Sequence, residues 1–172
     1  MKWVAISGGW RHTNQQVEKD VRRAVTEIMH RGDGIVTGGA PGVDYFAVDE
    51  ALRLDTGAVR IKVILPTSLK FYLNHTLLRI KEGLVAKEIG EPVVQQLNNL
   101  NKINPTAITE GKDIPGKIHV EKLQYFERNN LIVAAADELV AFWINNSQGT
   151  ADTIEKAKKK GIPIKVVTYT IP

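Results

Sequence analysis

The chain has 172 residues, 43% of them hydrophobic, and a formal net charge of +4. A chain this long buries roughly 70% of the surface it exposes when unfolded, enough for one core without staples, so one domain over residues 1–172 is expected. With no cysteine, disulfides, thiolate metal sites and a cysteine nucleophile are excluded; no stretch reaches the roughly 20 apolar residues of a membrane span, and the N-terminal apolar run is too short for a signal peptide, which fits a cytoplasmic address.

Val4-Ala5-Ile6 is a short apolar run ending in Ser7-Gly8-Gly9, the pattern of a buried strand and its turn. Val17, Val21, Ala24 and Ile28 then share one face of a helix from Asn14 to His30, capped by Thr13 or Asn14. Ile35-Val36-Thr37 reads as the second strand and ends in Gly38-Gly39-Ala40-Pro41-Gly42. A helix over Val43–Leu54 and a strand over Ile61–Leu65 follow. Phe71–Ile89 reads as one helix, with an apolar surface broad enough for a homodimer contact or for burial under neighbouring segments. Glu91–Lys102 reads as another helix, and Asn104–Gly116 as a loop or lid. Regularity returns with a helix over Glu121–Ala136, a strand over Leu139–Trp143, a turn at Asn145–Gly149, a helix over Thr150–Lys160 and a strand over Ile164–Val167.

Strands alternating with helices predict an α/β fold: a Rossmann-like three-layer sandwich with about five parallel strands and helices on both faces. Residues 69–119 form a helical and loop insert in it. Three glycine-bearing turns then fall at the C-terminal edge of the sheet, where ligands of open α/β sheets bind. They supply Ser7, Gly8, Gly9 and Arg11 from the first turn, Gly38, Gly39, Ala40, Gly42, Val43 and Asp44 from the second, and Asn145, Gly149 and Thr150 from the third. Glycine admits a ligand close to the backbone, and the amides opening the next helix suit a phosphate. A glycine that merely turns strand into helix would look the same. On this reading Gly39→Val blocks ligand entry more than it harms the fold.

The second turn reads GGxxG rather than GxGxxG, and no Walker A, GxSxG or HExxH pattern occurs. His12, His30, His75 and His119 show no metal-ligand spacing, so no metal site is assigned. Arg11 is placed to clamp a phosphate or to lie free on the surface. Asp44 and Asp152 each open a helix, and Arg128 lies in the helix before the fourth strand. These two aspartates with Arg128 are the catalytic candidates. Near a phosphate, Asp44 would instead hold a ribose hydroxyl or Mg2+.

Gly38-Gly39-Ala40-Pro41-Gly42-Val43-Asp44, then Glu127-Arg128-Asn129-Asn130, then Gly149-Thr150-Ala151-Asp152 with Ala157 and Gly161-Ile162-Pro163 resemble the SLOG superfamily, and within it the YspA-like branch. The resemblance covers roughly Lys2–Leu65 and Val120–Val167. It implies a Rossmann-like fold that binds nucleotides or their derivatives. The superfamily includes the Lonely-guy phosphoribohydrolases, which release a base from a nucleoside monophosphate, the DNA-processing protein A group and molybdenum-cofactor carriers. It places Gly38, Gly39, Gly42, Gly149 and Thr150 around the phosphate, with Arg128, and Asn129 beside it, near ribose or phosphate. Two departures bear on chemistry. Thr153 stands where the Lonely-guy motif GGxGTxxE has its glutamate, and Pro41 stands where the DNA-processing group often has arginine.

The leading expectation is a nucleotide-binding sensor or carrier whose cofactor-like ligand is a nucleotide or derivative, with or without Mg2+, in a chain with no membrane partner that forms a homo-oligomer. A second is a hydrolase acting on an N-glycosidic or phosphate bond. A third is a single-stranded nucleic-acid binder, supported by the basic balance but lacking a patch of interleaved basic and aromatic residues in the sequence.

Overall fold

A computed structural model describes all residues, Met1–Pro172. The elements run β1 (Trp3–Gly8), α1 (Gln15–His30), β2 (Gly34–Thr37), α2 (Val43–Leu54), β3 (Ile61–Ile64), α3 (Leu69–Lys81), α4 (Lys87–Ile103), a 3-10 turn (Pro105–Ala107), β4 (Ile108–Thr109), α5 (Lys122–Ala134), β5 (Glu138–Ile144), α6 (Gln148–Lys160) and β6 (Ile164–Tyr169). All strands are parallel, in the order β4-β3-β2-β1-β5-β6. The sheet therefore has six strands rather than about five. The extra one is the two-residue β4, paired through Val63 with Ile108, too short to show any alternation in the sequence.

The central strands are apolar on both faces because both are covered. Val4 and Ile6 point into one core with Val17, Val21 and Val25 of α1, Val43 and Ala47 of α2, and Leu97 and Leu100 of α4. Ala5 and Val36 point into the other, with Ile132 and Val133 of α5 and Ile154 and Ala157 of α6. Each fully buried valine, leucine or isoleucine contributes about 1.5–3 kcal/mol. Local signals set the helix ends. The Asn14 side chain accepts from Val17 N and starts α1, and Gly161, at φ 78°, ends α6.

The expected single helix over Phe71–Ile89 is two. Lys81 ends α3, Gly83 turns at φ 72°, and α4 starts at Lys87. Gly90 then lies so close to Ile80 that any side chain there would collide with it. Part of the broad apolar surface packs inward through Tyr72 and Val85, while Leu77, Leu84 and Ile89 stay 43–60% exposed. The 104–116 segment, read as a loop or lid, is tied to its neighbours. Asp113 accepts hydrogen bonds from Ser68 N and Oγ, at 2.8 Å each, and Lys112 O accepts one from Gln124 Nε2. No helix is long and apolar enough to cross a membrane.

Candidate functional site

From β1 the chain steps outward through β2 and β3 to β4, then returns to place β5 and β6 on the other side of β1. The strand order thus reverses between β1 and β5, and a cleft opens outside their C-terminal ends, as such sheets favour. Its volume, about 790 Å³, lies within the range of about 300–1,000 Å³ usual for small-molecule sites. Ser7, Gly8, Gly9, Trp10 and Arg11 line it after β1, Ala40, Pro41 and Asp44 after β2, and Asn145 and Ser147–Thr150 after β5. Tyr72, His75 and Arg79 of α3, His119, and Lys122, Tyr125, Arg128 and Asn129 of α5 complete it. Four cations, Arg11, Arg79, Lys122 and Arg128, face the cleft against one acid, Asp44.

The turns after β2 and β5 are built differently. After β2, Gly38, Gly39, Gly42 and Val43 do not line the cleft; their requirements come from the protein itself. A side chain on Gly38 would collide with the Arg128 guanidinium. Gly39, at φ 71°, would aim a Cβ at Leu65 and Val63, each 2.9 Å away, and its carbonyl accepts from the buried Tyr72 hydroxyl. Gly42, at φ 75°, lets the loop approach Gly9 O to 2.7 Å from where a Cβ would stand. The first amide of α2, on Val43, donates to Gly9 O. Gly8 leaves no room for a side chain, because Val43 packs against it. The expectation that Gly39→Val mainly blocks a ligand is therefore corrected: its side chain would enter the core.

This turn also carries its own anion. Asp44 is 6% exposed, and its carboxylate accepts from Ala40 N at 3.1 Å. Burial pushes its acidity toward the neutral form, while Arg128 and the loop amides pull the other way. Asp44 touches the cleft wall but is directed into its own loop.

After β5 the amides are free. Ser147 N donates to Ile144 O and Ala151 N to Ser147 O, but the N–H groups of Gln148, Gly149 and Thr150 meet no acceptor within the protein. The cap residue Ser147 makes no side-chain bond to them; its hydroxyl donates to Thr150 Oγ1 at 2.8 Å instead. A Cβ on Gly149 would meet nothing within 4 Å. Thr153, in the place of the Lonely-guy glutamate, is buried and donates to Gly149 O at 3.1 Å. Asn145, at φ 49°, spends its side chain on Ile171, accepting from its N–H and donating to its carbonyl.

Arg128 sits between these turns. It is 9% exposed and donates to Gly38 O at 2.6 Å and to Asn129 Oδ1 at 3.1 Å, with its guanidinium over the Tyr125 ring. All three partners are neutral. Asn129 Nδ2 donates in turn to Asp152, which is paired with Lys156 at 2.5 Å. Asp152 does not line the cleft; its carboxylate is neutralised by Lys156 and orients Asn129. The catalytic candidate Asp152 is thus placed behind Asn129 rather than in the cleft wall. No cluster of three or more histidine, aspartate or glutamate side chains is placed to hold a metal ion.

The interleaving of cations and aromatics missing from the sequence exists in space. Arg11 and Arg79 lie 4.9 and 4.8 Å from the Trp10 ring centre, Arg128 lies 5.5 Å from that of Tyr125, and Lys122 and Lys156 flank Phe126. Four separate segments contribute, so no sequence window holds the pattern. His75 and His119, scattered along the chain, also meet here, with their Nδ1 atoms 3.0 Å apart.

No family model matches the sequence, and no curated protein matches it. Among solved structures it is similar to DNA processing protein A from Helicobacter pylori, described for its single-stranded DNA binding mode, with a TM-score of 0.66 and 22% identity over 96% of this chain and 64% of that one. The molybdenum cofactor binding protein of the phototrophic bacterium Rippkaea orientalis gives 0.57 and 15%, over 98% of this chain and 77% of that one. DNA processing protein A from Streptococcus pneumoniae gives 0.50 and 17%, over 95% and 58%. The chain spans less than two thirds of the length of either DNA processing protein. At these identities the likeness is one of architecture: the chain shares the Rossmann-like α/β fold of these proteins.

Proposed function

We propose that the protein binds a nucleotide or nucleotide-derived ligand, as a sensor or carrier, with a phosphate held by the amides of Gln148, Gly149 and Thr150 and by Arg128. The carrying observation is that these three unpaired amides and a buried arginine, whose hydrogen-bond partners are neutral and whose nearest charge is Asp44, face one cleft. Hydrogen bonds to a charged group contribute about 1.5–3 kcal/mol each, against about 0.3–1 kcal/mol for the helix dipole. The direct bonds therefore dominate. Calorimetric titration with nucleoside mono-, di- and triphosphates tests this; heat and thermal stabilisation with at least one are expected, and silence from all of them contradicts it.

A second reading is single-stranded nucleic-acid binding, favoured by the stacked series Arg11–Trp10–Arg79 and the Arg128–Tyr125 contact. Base–aromatic stacking contributes about 1–3 kcal/mol per base. Affinity for an oligonucleotide should then grow with its length and fall steeply with salt as counterions are released. Affinity that stays at the mononucleotide value whatever the length removes this reading.

A further inference from the structure

The same cleft holds a second set of groups that anion binding does not use. The Tyr125 hydroxyl lies 3.1 Å from His75 Nε2, His75 Nδ1 lies 3.0 Å from His119 Nδ1, and His119 Nε2 lies 3.2 Å from Glu82 Oε1. Val120 N–H donates to His75 Nδ1 at 3.2 Å. That nitrogen is therefore the acceptor, and His75 carries its proton on Nε2, toward Tyr125. His119 Nδ1 faces an acceptor and is the donor of that pair, and the contact from its Nε2 to the Glu82 carboxylate is a hydrogen bond when that nitrogen also carries a proton. Tyr125, His75 and His119 line the cleft, whereas Glu82 is exposed. The four side chains thus form one hydrogen-bonded line from the cleft to solvent. Burial holds the Tyr125 phenol up, with Arg128 and Arg79 opposing, and holds His75 neutral, pushed down to about 4. A protonated phenol whose proton can be replaced from solvent is equipped to act as a general acid.

The charge around it selects the reaction. Cleaving an N-glycosidic bond builds positive charge on the sugar, which four cations oppose. The one lining acid, Asp44, is turned into its own loop, and Thr153 offers no carboxylate. Phosphoryl transfer spreads negative charge over the equatorial oxygens, which arginines and amides stabilise, and its loose transition state asks little of a base.

We infer that the protein hydrolyses a nucleoside phosphate monoester in this cleft, with Tyr125 as the catalytic proton donor to the departing alcohol and His75 and His119 as the relay that resupplies it. The inference rests on the nucleotide-binding reading and makes the bound nucleotide a substrate rather than a cargo or signal. Water attacks phosphorus, the P–O bond to the nucleoside breaks, and the departing oxygen takes the Tyr125 proton. The phenolate recovers a proton from His75 Nε2 as His75 Nδ1 takes one from His119 Nδ1 and His119 Nε2 takes one from solvent; both rings are then in the opposite tautomer, and exchange with water in the cleft restores them before the next turnover. One proton of the attacking water stays on the new P–OH and the other leaves to solvent, so the balance closes without a co-reactant.

Adenosine 5′-monophosphate and p-nitrophenyl phosphate separate this from a merely structural role, because nitrophenolate leaves without a proton. Phosphate release should be seen with both in the wild type. Tyr125→Phe keeps the ring and should lose at least 100-fold in kcat on the nucleotide, with KM little changed, but less than 5-fold on the nitrophenyl ester. His119→Gln should slow the nucleotide reaction and be rescued by added imidazole. Equal losses on the two esters, or no rescue, would overturn the inference. So would calorimetric binding of the nucleotide without phosphate release. Absence of binding would remove the nucleotide reading as well.

Discussion

The turn after β2 and the turn after β5 occupy the same edge of the sheet, yet they are tied into the protein to different degrees. The first has three glycines, and each is explained by a neighbour: Arg128, the Val63–Leu65 pair and Gly9. Its helix begins with an amide already bonded to Gly9 O and an aspartate already bonded to Ala40 N. The second has one glycine at the helix start with open space beside it, and three unbonded amides. A glycine thus marks where the backbone must come close to something, and only the hydrogen-bond inventory says whether that something is protein. The glycine-rich turn positions Arg128; the glycine-poor one presents donors.

The largest expected effect comes from Gly39→Val. A positive φ costs a branched residue about 1–3 kcal/mol, and overpacking against Val63 and Leu65 adds about 1–3 kcal/mol. Urea unfolding should show a loss of about 2–6 kcal/mol. A loss below about 0.5 kcal/mol, the range of ordinary surface changes, would mean the loop is not held as described. Arg128→Met should weaken nucleotide binding by about 1.5–3 kcal/mol, a factor of roughly 10–150. Asn129→Ala leaves the guanidinium but frees its Nε support, so a smaller loss of about 0.5–1.5 kcal/mol is expected from the same titration.

Stability should also respond to acid through His75, held neutral in the folded chain with its acidity pushed from 6.5 down to about 4 by burial, Arg79 and His119. The unfolded chain takes up this proton near 6.5 and the folded chain only near 4, so stability is fully present above 6.5 and falls as pH drops through that window. The slope contributed is at most about 1.4 kcal/mol per pH unit, and it should be reduced in His75→Gln. A profile in which the variant and the wild type are parallel from pH 7 to 4 would contradict the neutral assignment. The smallest effect is that of Gly149→Ala, which fills open space on a helix and should stabilise by about 0.5–1 kcal/mol.

Much of this was legible in the sequence, and the reasons for the rest are physical. Val43–Leu54 appears at the bounds its apolar spacing predicts, because Gly42 and Asp55 flank a regular stripe. Gly83 could have been read as the break in the Phe71–Ile89 pattern. The periodicity on either side masked it, since Leu77, Ile80 and Leu84 keep helical spacing across the turn. Strand β4 is two residues long and has no pattern to read. At the site, the edge and its turns were predictable from alternating strands and helices. The Trp10–Arg79 contact and the Tyr125–His75–His119 line were not. Their partners belong to segments far apart in the chain, and side-chain identity carries no signal of which segments will meet.

The account rests on free amides at the start of α6 holding an anion, and Gly149→Asp tests it most directly. The aspartate has room, replaces glycine in a helix and sits favourably at its N-terminus, contributing about 0.3–1 kcal/mol to stability, while its charge occupies the place of the phosphate. Calorimetric titration with adenosine 5′-monophosphate, run beside urea unfolding of the same sample, should show unchanged or raised stability and at least a 10-fold loss of affinity. An affinity equal to that of the wild type, in a variant that is fully folded, would contradict it.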